Sequence, residues 1–366
     1  MEEALLGGLS AQAFLRRHWQ RRPLLVRNAL PRLRGMLGKS ALFELATRDD
    51  IESRLVERKG SRWNVTHGPL PRSRFARTAA RDWTLLVNGV NHHDAGAERL
   101  LRRFSFLPQA RLDDVMASYA APGGGVGPHS DSYDVFLVQG AGRRVWRLAR
   151  ARAFSLVPHA PLRLIRDFRA EEEYLLEPGD MLYLPPGWGH DGFALDPCMT
   201  YSVGFRAAGG AELAAGFLDY LHERGFANAA YRDPALRATK HSGRIGAEML
   251  RFADRQLRRI RWNRGDVARF LGRFLSAPKD NAVFKGKPGT AKLRGKLVVL
   301  DPKTQLLYLG AQFFVNGESF RPPPAQRAAL AALADARRAP GRMLARAGLE
   351  RLILQWHRAG FVDLQL

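Results

Sequence analysis

Two polar clusters at the ends of strand-like segments constrain the fold of this chain more than any other feature. The first is His129-Ser130-Asp131, at the head of an apolar run, and the second is His190, which follows the apolar stretch 181–184 and the breaker Pro185-Pro186-Gly187. Residues two apart in an extended segment point to the same side, so His129 and Asp131 are expected to converge on one point. The sequence between the clusters is long enough for several strands of a barrel, which would bring them side by side.

Such a pair is by itself a weak sign of a metal site, because His129 and Asp131 could equally end a strand or cap a turn. With His190 as a third ligand, two imidazoles and one carboxylate would leave three coordination positions open, as in non-haem Fe(II) oxygenases. A structural zinc site is normally closed by four protein ligands. The single cysteine, Cys198, excludes a thiolate cluster and an internal disulfide. Any metal is therefore expected to be held by nitrogen and oxygen.

The strand-like segment "RRVWRL" gives an independent clue. Alternation places Arg144, Trp146 and Leu148 on one face of this segment and Arg143, Val145 and Arg147 on the other. An arginine on the apolar, inward face is costly to bury unless an anion pairs with it. The planar guanidinium of Arg144 could grip a carboxylate through two hydrogen bonds, or it could form an internal salt bridge.

The chain divides into three predicted regions. Residues 1–206 mix short helical and strand-like stretches with many Gly and Pro breaks. Residues 207–275 are expected to be helical, because apolar side chains recur there at helical spacing: Leu213, Phe217, Leu218, Leu221, Ile245, Met249, Phe252, Val267, Phe270, Leu271 and Phe274. Some of these helices carry more apolar surface than one small unit needs, which favours a partner subunit.

The third region, residues 276–366, opens with a Gly- and Lys-rich stretch at 276–296. Short strands are predicted at "LVVLD", "LLYLG" and "QFFVNGESF", with Asn316-Gly317 as a turn signal, and helices at 324–337 and 343–358. This order fits a winged-helix-like module or any other small α+β domain.

The net charge of +23 favours polyanionic neighbours such as nucleic acid, although an arginine-rich composition can also reflect a GC-rich genome. We find neither a signal-peptide pattern nor an apolar run of the roughly 18 residues that a transmembrane helix requires. We therefore expect a cytoplasmic protein that makes no membrane contact.

The same motifs resemble the JmjC-type, cupin-fold, 2-oxoglutarate-dependent oxygenases. Four segments, "FLRRHWQRRPLLVRN", "PGGGVGPHSDSYDVFLVQGAGRRVWRL", "LEPGDMLYLPPGWGHDGFALD" and "TYSVGFR", are together similar to the bacterial ribosomal oxygenases that hydroxylate an arginine of large-subunit ribosomal protein sixteen. The resemblance implies a mainly β catalytic domain, a double-stranded β-helix, followed by an α-helical dimerisation region and a C-terminal winged helix.

The resemblance also implies the roles of the site residues. His129, Asp131 and His190 would hold Fe(II), Arg144 would bind the distal carboxylate of 2-oxoglutarate, and O2 would be the second co-substrate. A homodimer acting on a ribosomal protein is expected. The near-motif candidates for contacts with the substrate guanidinium are Tyr133, Asp134, Asp191 and Ser202.

Alternatives remain open at this point. The same chemistry could act on a histidine of another ribosomal protein or on RNA, and a non-catalytic cupin could bind nucleic acid through its basic C-terminal region. Because a chain of this charge repels a basic ribosomal protein at long range, acidic acceptors must be local, or the basic surface must serve ribosomal RNA. The adjacent His92-His93 are expected in a surface loop. The remaining histidines are expected at the surface or in packing: His67, His159, His222, His241 and His357.

Overall fold

The computed structural model describes residues 5–31, 36–225, 229–279, 282–286 and 292–366. Within the predicted Gly- and Lys-rich stretch, 280–281 and 287–291 lie outside the described residues. Among the described helices, none is long and apolar enough to cross a membrane.

The N-terminal part is built on two antiparallel sheets. Strands of the larger sheet are β1 (Leu24–Val26), β2 (Ser53–Lys59), β3 (Arg62–His67), β4 (Trp83–Val87), β5 (Leu112–Ala120), β7 (Val135–Ala141), β10 (Met181–Leu184) and β12 (Cys198–Phe205). They lie in the order β1-β10-β7-β12-β5-β4-β2-β3. Strands of the smaller sheet are β6 (His129–Ser130), β8 (Arg144–Ala149), β9 (Glu172–Leu176) and β11 (Gly189–Ala194), in the order β6-β11-β8-β9.

Strand β7 shows how the two sheets form one domain. Its residues alternate between faces, and both faces are buried. Val135 and Leu137 pack in a cluster with residues of β8 and β9 from the smaller sheet, whereas Phe136 and Val138 belong to the main core on the opposite face. The predicted mainly β, double-stranded β-helix domain is thereby confirmed.

Short helices cover the outer face of the larger sheet. They are α1 (Ala11–Arg17), α2 (Lys39–Leu45), α3 (Arg72–Phe75) and α4 (Ala95–Arg102). Ser10 caps α1 by accepting a hydrogen bond from the Ala13 N–H at 3.2 Å. Phe14 on α1 is fully buried, with ring-centroid distances of 5.5 Å to Phe136 and 5.0 Å to Tyr183. These aromatic contacts fix the back of the sheet, and the inner face is left for the site.

The helical region contains α5 (Gly210–Glu223), α6 (Ala247–Leu257) and α7 (Arg264–Ser276). The predicted helices are confirmed, but their apolar faces differ in burial. Tyr220, Leu221 and Phe270 form a small buried cluster, whereas Leu250 and Leu257 are each 67% exposed. Helix α6 therefore presents an apolar face that the described chain does not cover.

The C-terminal part is a small α+β unit. Its strands are β13 (Leu297–Leu300), β14 (Leu306–Leu309), β15 (Gln312–Val315), β16 (Glu318–Phe320), β17 (Arg338–Pro340) and β18 (Val362–Gln365), and its helices are α8 (Pro324–Ala336), α9 (Gly341–Arg346) and α10 (Glu350–Ala359). The three predicted strand segments and the turn at Asn316-Gly317 are confirmed. The helix predicted at 343–358 is wrong as one element, because Gly348, at φ +74°, ends α9 before α10 begins.

Candidate metal centre

The two sequence clusters meet on neighbouring strands of the smaller sheet. β6 pairs with β11 so that His129 lies directly opposite His190. Their ring centroids are 4.1 Å apart, and the His190 Nε2 is 3.7 Å from Asp131 Oδ2. One ligand atom from each of the three residues lies within 4.8 Å of the others. The predicted convergence of His129, Asp131 and His190 is therefore present.

Backbone carbonyls orient both imidazoles. The Nδ1 of His129 is 2.9 Å from the Gly127 carbonyl oxygen, and the Nδ1 of His190 is 3.1 Å from that of Trp188. Donation from each Nδ1–H leaves each Nε2 with a free lone pair, which is the arrangement of a metal-ligating histidine. Burial and the neighbouring His129 lower the pKa of His190 to about 4, against a smaller opposing effect of Asp131. His190 is thus neutral at physiological pH, as a ligand must be.

The breaker before β11 also holds the first cluster. Gly187 adopts φ +79°, a conformation that favours glycine, and its N–H donates to the Asp131 carbonyl oxygen at 2.8 Å. This bond ties the backbone of one ligand to the turn that precedes the other. The Pro-Pro-Gly sequence therefore does more than end β10, because it sets the spacing of the two ligand-bearing segments.

Arg144 lies on the same face of the smaller sheet as His190. β8 pairs with β11 in a register that aligns Arg144 with Ala194 and Leu148 with His190. Arg144 is 5% exposed, and its Nε has no hydrogen-bond partner among the described residues. The indole Nε1 of Trp146, next along the same face, is likewise buried and without a partner. The internal salt bridge considered for Arg144 is absent from the part of the chain that the structure describes.

These groups share one cavity of about 850 Å³. His129, Asp131, His190 and Arg144 line it from the smaller sheet and its flanking segments, and the larger sheet contributes several polar side chains. These polar side chains are Arg54, Thr84, Asp113, Asp114, Ser118 and Ser202. Among the described residues, four buried donors without partners belong to residues of this cavity: Arg54 Nε, Thr84 Oγ1, Arg144 Nε and Trp146 Nε1. Together with three convergent ligand atoms, they surround a space large enough for a small organic anion and a side chain of a substrate.

Two family models match the chain: a JmjC domain at residues 99–213 and a ROXA-like winged helix at residues 259–363. The ribosomal protein uL16 3-hydroxylase of Escherichia coli (strain K12) is 36% identical over 333 residues, which cover 88% of each chain. The chain belongs to the JmjC-domain ribosomal oxygenases.

Solved structures agree with this family assignment. An X-ray structure of E. coli YcfD matches this ribosomal oxygenase with a TM-score of 0.83 and 31% identity over 98% of both chains. A structure of YcfD in complex with cobalt and 2-oxoglutarate matches with a TM-score of 0.80 and 31% identity, covering 98% of this chain and 99% of that one. The match extends over nearly the whole chain, including the residues matched by the winged-helix model.

Of the four predicted substrate contacts in this ribosomal oxygenase, two face the cavity. Tyr133 lines the cavity and is 40% exposed. Ser202 lies on β12, opposite Leu137 of β7, and also lines it. Burial, followed by the negative charge of Asp131, raises the pKa of Tyr133, so its hydroxyl stays protonated. Both residues can therefore offer a hydroxyl to a bound side chain.

Asp134 does not face the cavity of this ribosomal oxygenase. It is fully buried and accepts hydrogen bonds from the Tyr183 hydroxyl at 2.6 Å, the Gln20 side chain at 3.0 Å and Arg111 at 3.2 Å. This position does not favour its predicted role as a substrate contact. It directly precedes β7, whose first residue Val135 lines the cavity, and it ties Tyr183 of β10 to Gln20 in the segment before β1.

Asp191 is also absent from the cavity lining. It follows the ligand His190 on β11 and therefore points to the other face, where it lies opposite Arg147 of β8. Its pKa is raised by burial, an effect opposed by the positive charge of Arg147. The structure does not support its prediction as a substrate contact.

The sequence prediction missed Asp114, which lies in the same cavity. It is 8% exposed and alternates along β5 with Met116 and Ser118, which also line the cavity. The paired Asp113-Asp114 at the start of an apolar strand was the available signal.

A second cavity, of about 280 Å³, adjoins this wall and is lined partly by His92 and His93. The surface-loop prediction holds for the exposed His93, but His92 is partly buried.

Proposed function

We propose that this chain is an Fe(II)- and 2-oxoglutarate-dependent oxygenase that hydroxylates an arginine side chain of ribosomal protein uL16, the sixteenth protein of the large subunit. The observation that carries the proposal is the convergence of His129, Asp131 and His190 within 4.8 Å, in a cavity that also holds an unpartnered, buried Arg144. A ligand set that leaves positions open, beside a cation without a partner, fits a metal and an organic anion bound together.

The donor set fits iron in its divalent form. Two neutral imidazole nitrogens and one carboxylate oxygen suit Fe(II), and three protein ligands leave room for co-substrates. The carbonyl contacts of both Nδ1 atoms hold the rings in the tautomer that directs Nε2 to the metal. His129, Asp131 and His190 are therefore the proposed iron ligands.

Arg144 and Trp146 fit the 2-oxoglutarate carboxylate that lies away from the metal. Both present buried donors without partners to the same cavity, and the Arg144 guanidinium lies 5.4 Å from the centre of the indole ring. A buried donor without a hydrogen-bond partner is costly, and a carboxylate that accepts hydrogen bonds from both donors would remove that cost. We assign Arg144 to the distal carboxylate and Trp146 to a supporting contact.

When bound, iron with 2-oxoglutarate and O2 would supply the oxidising chemistry that inserts one oxygen atom into a C–H bond to give a hydroxyl, while the other oxygen atom enters succinate and CO2 is released. The chain positions the reactants and limits water. Apolar residues Val135, Leu137 and Leu162 line the cavity near the ligands and restrict solvent at the reacting carbon. Ligand geometry and exclusion of water are the contributions of the protein to the rate.

The substrate guanidinium needs hydrogen-bond acceptors in this cavity. Tyr133 and Ser202 each offer a hydroxyl oxygen, and Asp114 offers a carboxylate, the strongest acceptor for a guanidinium. We propose that these three residues hold the arginine side chain with its carbons turned toward the metal. We do not assign this role to Asp134 or Asp191, because neither lines the cavity.

Mass spectrometry of a uL16 peptide tests the function directly. The peptide with the candidate arginine is incubated with enzyme, Fe(II), ascorbate and 2-oxoglutarate, and His129→Ala serves as the control. A gain of one oxygen, about 16 Da, that requires 2-oxoglutarate and is absent in the control is the expected result. Succinate formation with ribosomal extract but not with the peptide would point to a histidine of another ribosomal protein or to RNA. Absence of succinate under both conditions would favour a non-catalytic, nucleic-acid-binding cupin.

We also propose that the protein is a homodimer joined through the helical region. Large apolar side chains of this region are exposed in the single chain: Leu218, Leu236, Ile245, Met249, Leu250, Leu257, Trp262 and Val267. An apolar surface of this extent is unfavourable in a monomer, and a second copy would cover it. Light scattering should give twice the mass of one chain. Leu250→Asp should yield monomers and Leu250→Ile should not, and a monomeric wild type at micromolar concentration would refute the proposal.

The charge of +23 supports a further proposal, that the basic surface contacts ribosomal RNA while the cavity takes the protein substrate. Such a complex places the protein in the cytoplasm. Binding of a ribosomal RNA fragment should weaken steeply as salt is raised. Binding that does not respond to salt would exclude an electrostatic contact.

We also propose that the chain divides into three domains, with boundaries after residues 206 and 275.

A further inference from the structure

Asp114 uses its two carboxylate oxygens differently. Oδ2 accepts the Gly89 N–H at 3.0 Å and the Lys279 ammonium at 2.9 Å. Oδ1 faces Gly204, where a Cβ atom added to that glycine would lie 3.8 Å away. Gly204 and Ser202 belong to the wall of the catalytic cavity. One oxygen of Asp114 is thus held by the protein, and the other is turned toward the proposed guanidinium site.

Lys279 comes from outside the catalytic domain. It lies just after α7, in the segment that joins the helical region to the C-terminal domain. Its ammonium also contacts Asp113 Oδ1 at 3.2 Å. Lys279 and Asp114 both line the catalytic cavity and the adjoining smaller cavity. The lysine therefore stands at the junction of the two cavities, behind the carboxylate rather than across its free oxygen.

The other charged groups near this pair do not replace Lys279. Arg206 contacts Asp113, at 3.4 Å, and also donates to the Leu275 carbonyl oxygen. Burial lowers the pKa of His92 to about 3, so this neighbour is neutral at physiological pH. Lys279 is accordingly the cation in direct contact with Asp114 among the described residues.

Two opposing effects act on the charge of Asp114. Burial raises its pKa, and the Lys279 ammonium limits this rise without reversing it, so the pKa of Asp114 stays above its ordinary value. Burial lowers the pKa of Lys279, but Asp114 and Asp113 together outweigh that effect and leave it raised. Lys279 therefore stays an ammonium. A buried carboxylate that loses its only contacting cation takes up a proton instead of remaining an isolated charge.

We propose that Lys279 is a positioning residue that keeps Asp114 anionic and directs its free oxygen into the cavity, so that the enzyme selects a cationic arginine over a neutral side chain of the same shape. This inference rests on the proposed function and adds the origin of its charge selectivity. It also makes a segment outside the catalytic domain complete the substrate site. The C-terminal part of the chain would thereby influence recognition without contacting the substrate.

Binding of two peptides tests the proposal. One peptide carries the uL16 arginine, and the other carries citrulline, whose urea group has a similar shape without the charge. Their affinities for the full-length enzyme with Mn(II) and 2-oxoglutarate are measured by fluorescence anisotropy without O2, for wild type, Lys279→Met, Lys279→Arg and Lys303→Met. Lys303 is the matched control, because it lines the adjoining cavity but pairs with Asp301, at 3.0 Å.

Wild type should bind the arginine peptide more tightly than the citrulline peptide. In Lys279→Met, we expect the pKa of Asp114 to rise above the assay pH. Each unit of this excess should weaken binding of the arginine peptide by about tenfold. Binding of the citrulline peptide should stay nearly unchanged. Lys279→Arg should restore the preference, and Lys303→Met should keep it. If Lys279 had only a structural role, its replacement would weaken the binding of both peptides equally.

The outcomes separate this inference from the proposed function. Unchanged preference in Lys279→Met, or equal loss for both peptides, overturns the role of Lys279 while the function stands. Failure of wild type to bind the arginine peptide, with 2-oxoglutarate still turned over in ribosomal extract, refutes the substrate assignment and this inference with it.

Discussion

Replacement of Gly192 by alanine would test how the smaller sheet forms the proposed 2-oxoglutarate pocket. A Cβ atom at this position would lie 2.5 Å from Cζ3 and 2.7 Å from Cε3 of the Trp146 ring, and ordinary carbon–carbon contact requires about 3.5–4.0 Å. The indole must therefore retreat by about 1 Å. Trp146 is 5% exposed and packed on Leu148 and its neighbours, so its main freedom is toward the cavity, where Arg144 lies.

Overpacking of this kind costs about 1–3 kcal/mol. Gly192→Ala should lower the midpoint of thermal unfolding by about 2–4 °C for each kcal/mol. The displaced ring should also raise the KM for 2-oxoglutarate by about tenfold, which corresponds to about 1.4 kcal/mol, in an assay of succinate formation. Gly204→Ala is the matched control, because its nearest contact would be 3.8 Å, and its KM for 2-oxoglutarate should match wild type. Wild-type stability and KM in Gly192→Ala would refute the reasoning.

Three further predictions concern buried polar groups. Arg144→Met removes a buried charge that has no partner among the described residues, so the apoprotein should be as stable as wild type or more so, but 2-oxoglutarate should no longer raise its melting temperature. Asp134→Ala should destabilise the fold by about 1–3 kcal/mol, because it leaves the buried Tyr183 hydroxyl without its acceptor, with little effect on the KM for peptide, whereas Tyr133→Ala should do the reverse. Burial lowers the pKa of His92 from 6.5 to about 3, so stability is lost as pH falls below 6.5, because the unfolded chain takes up the proton first. The free energy of unfolding is measured by denaturation at pH 7 and at pH 5. Between these two pH values, His92→Gln should lose about 2 kcal/mol less of this free energy than wild type, and equal losses would exclude His92 as the cause.

The metal centre could be predicted from sequence because its geometry is local. Strand alternation relates His129 to Asp131, a Pro-Pro-Gly turn sets the position of His190, and the same alternation places Arg144 on the inward face. Each step depends on a few neighbouring residues and on one register between β6 and β11. Motif reasoning succeeds when only one long-range pairing has to be assumed.

The substrate side of the cavity was harder to predict, because proximity in sequence does not fix the direction of a side chain. Asp134 and Asp191 each stand next to a cavity residue but are absent from the cavity lining, and for Asp191 on β11 the strand period of two explains this. Asp114 was missed for the opposite reason, since it lies in an earlier strand that reaches the cavity only through the pairing of β5 with β12. Lys279 comes from still further along the chain. A site made of such distant segments requires the fold to be known.

The net charge of +23 and the choice of a cationic substrate are compatible because they act over different distances. Charges separated by more than about 8–10 Å are largely screened at physiological salt, so the basic surface has little effect on a guanidinium inside the cavity. Inside the cavity, the nearby acidic side chains determine the binding of a cationic group, and among them Asp114 has an oxygen turned toward the proposed guanidinium site. Because the cation that contacts this carboxylate comes from the segment after α7, the proposed recognition of the guanidinium depends on a residue far along the chain from the metal ligands.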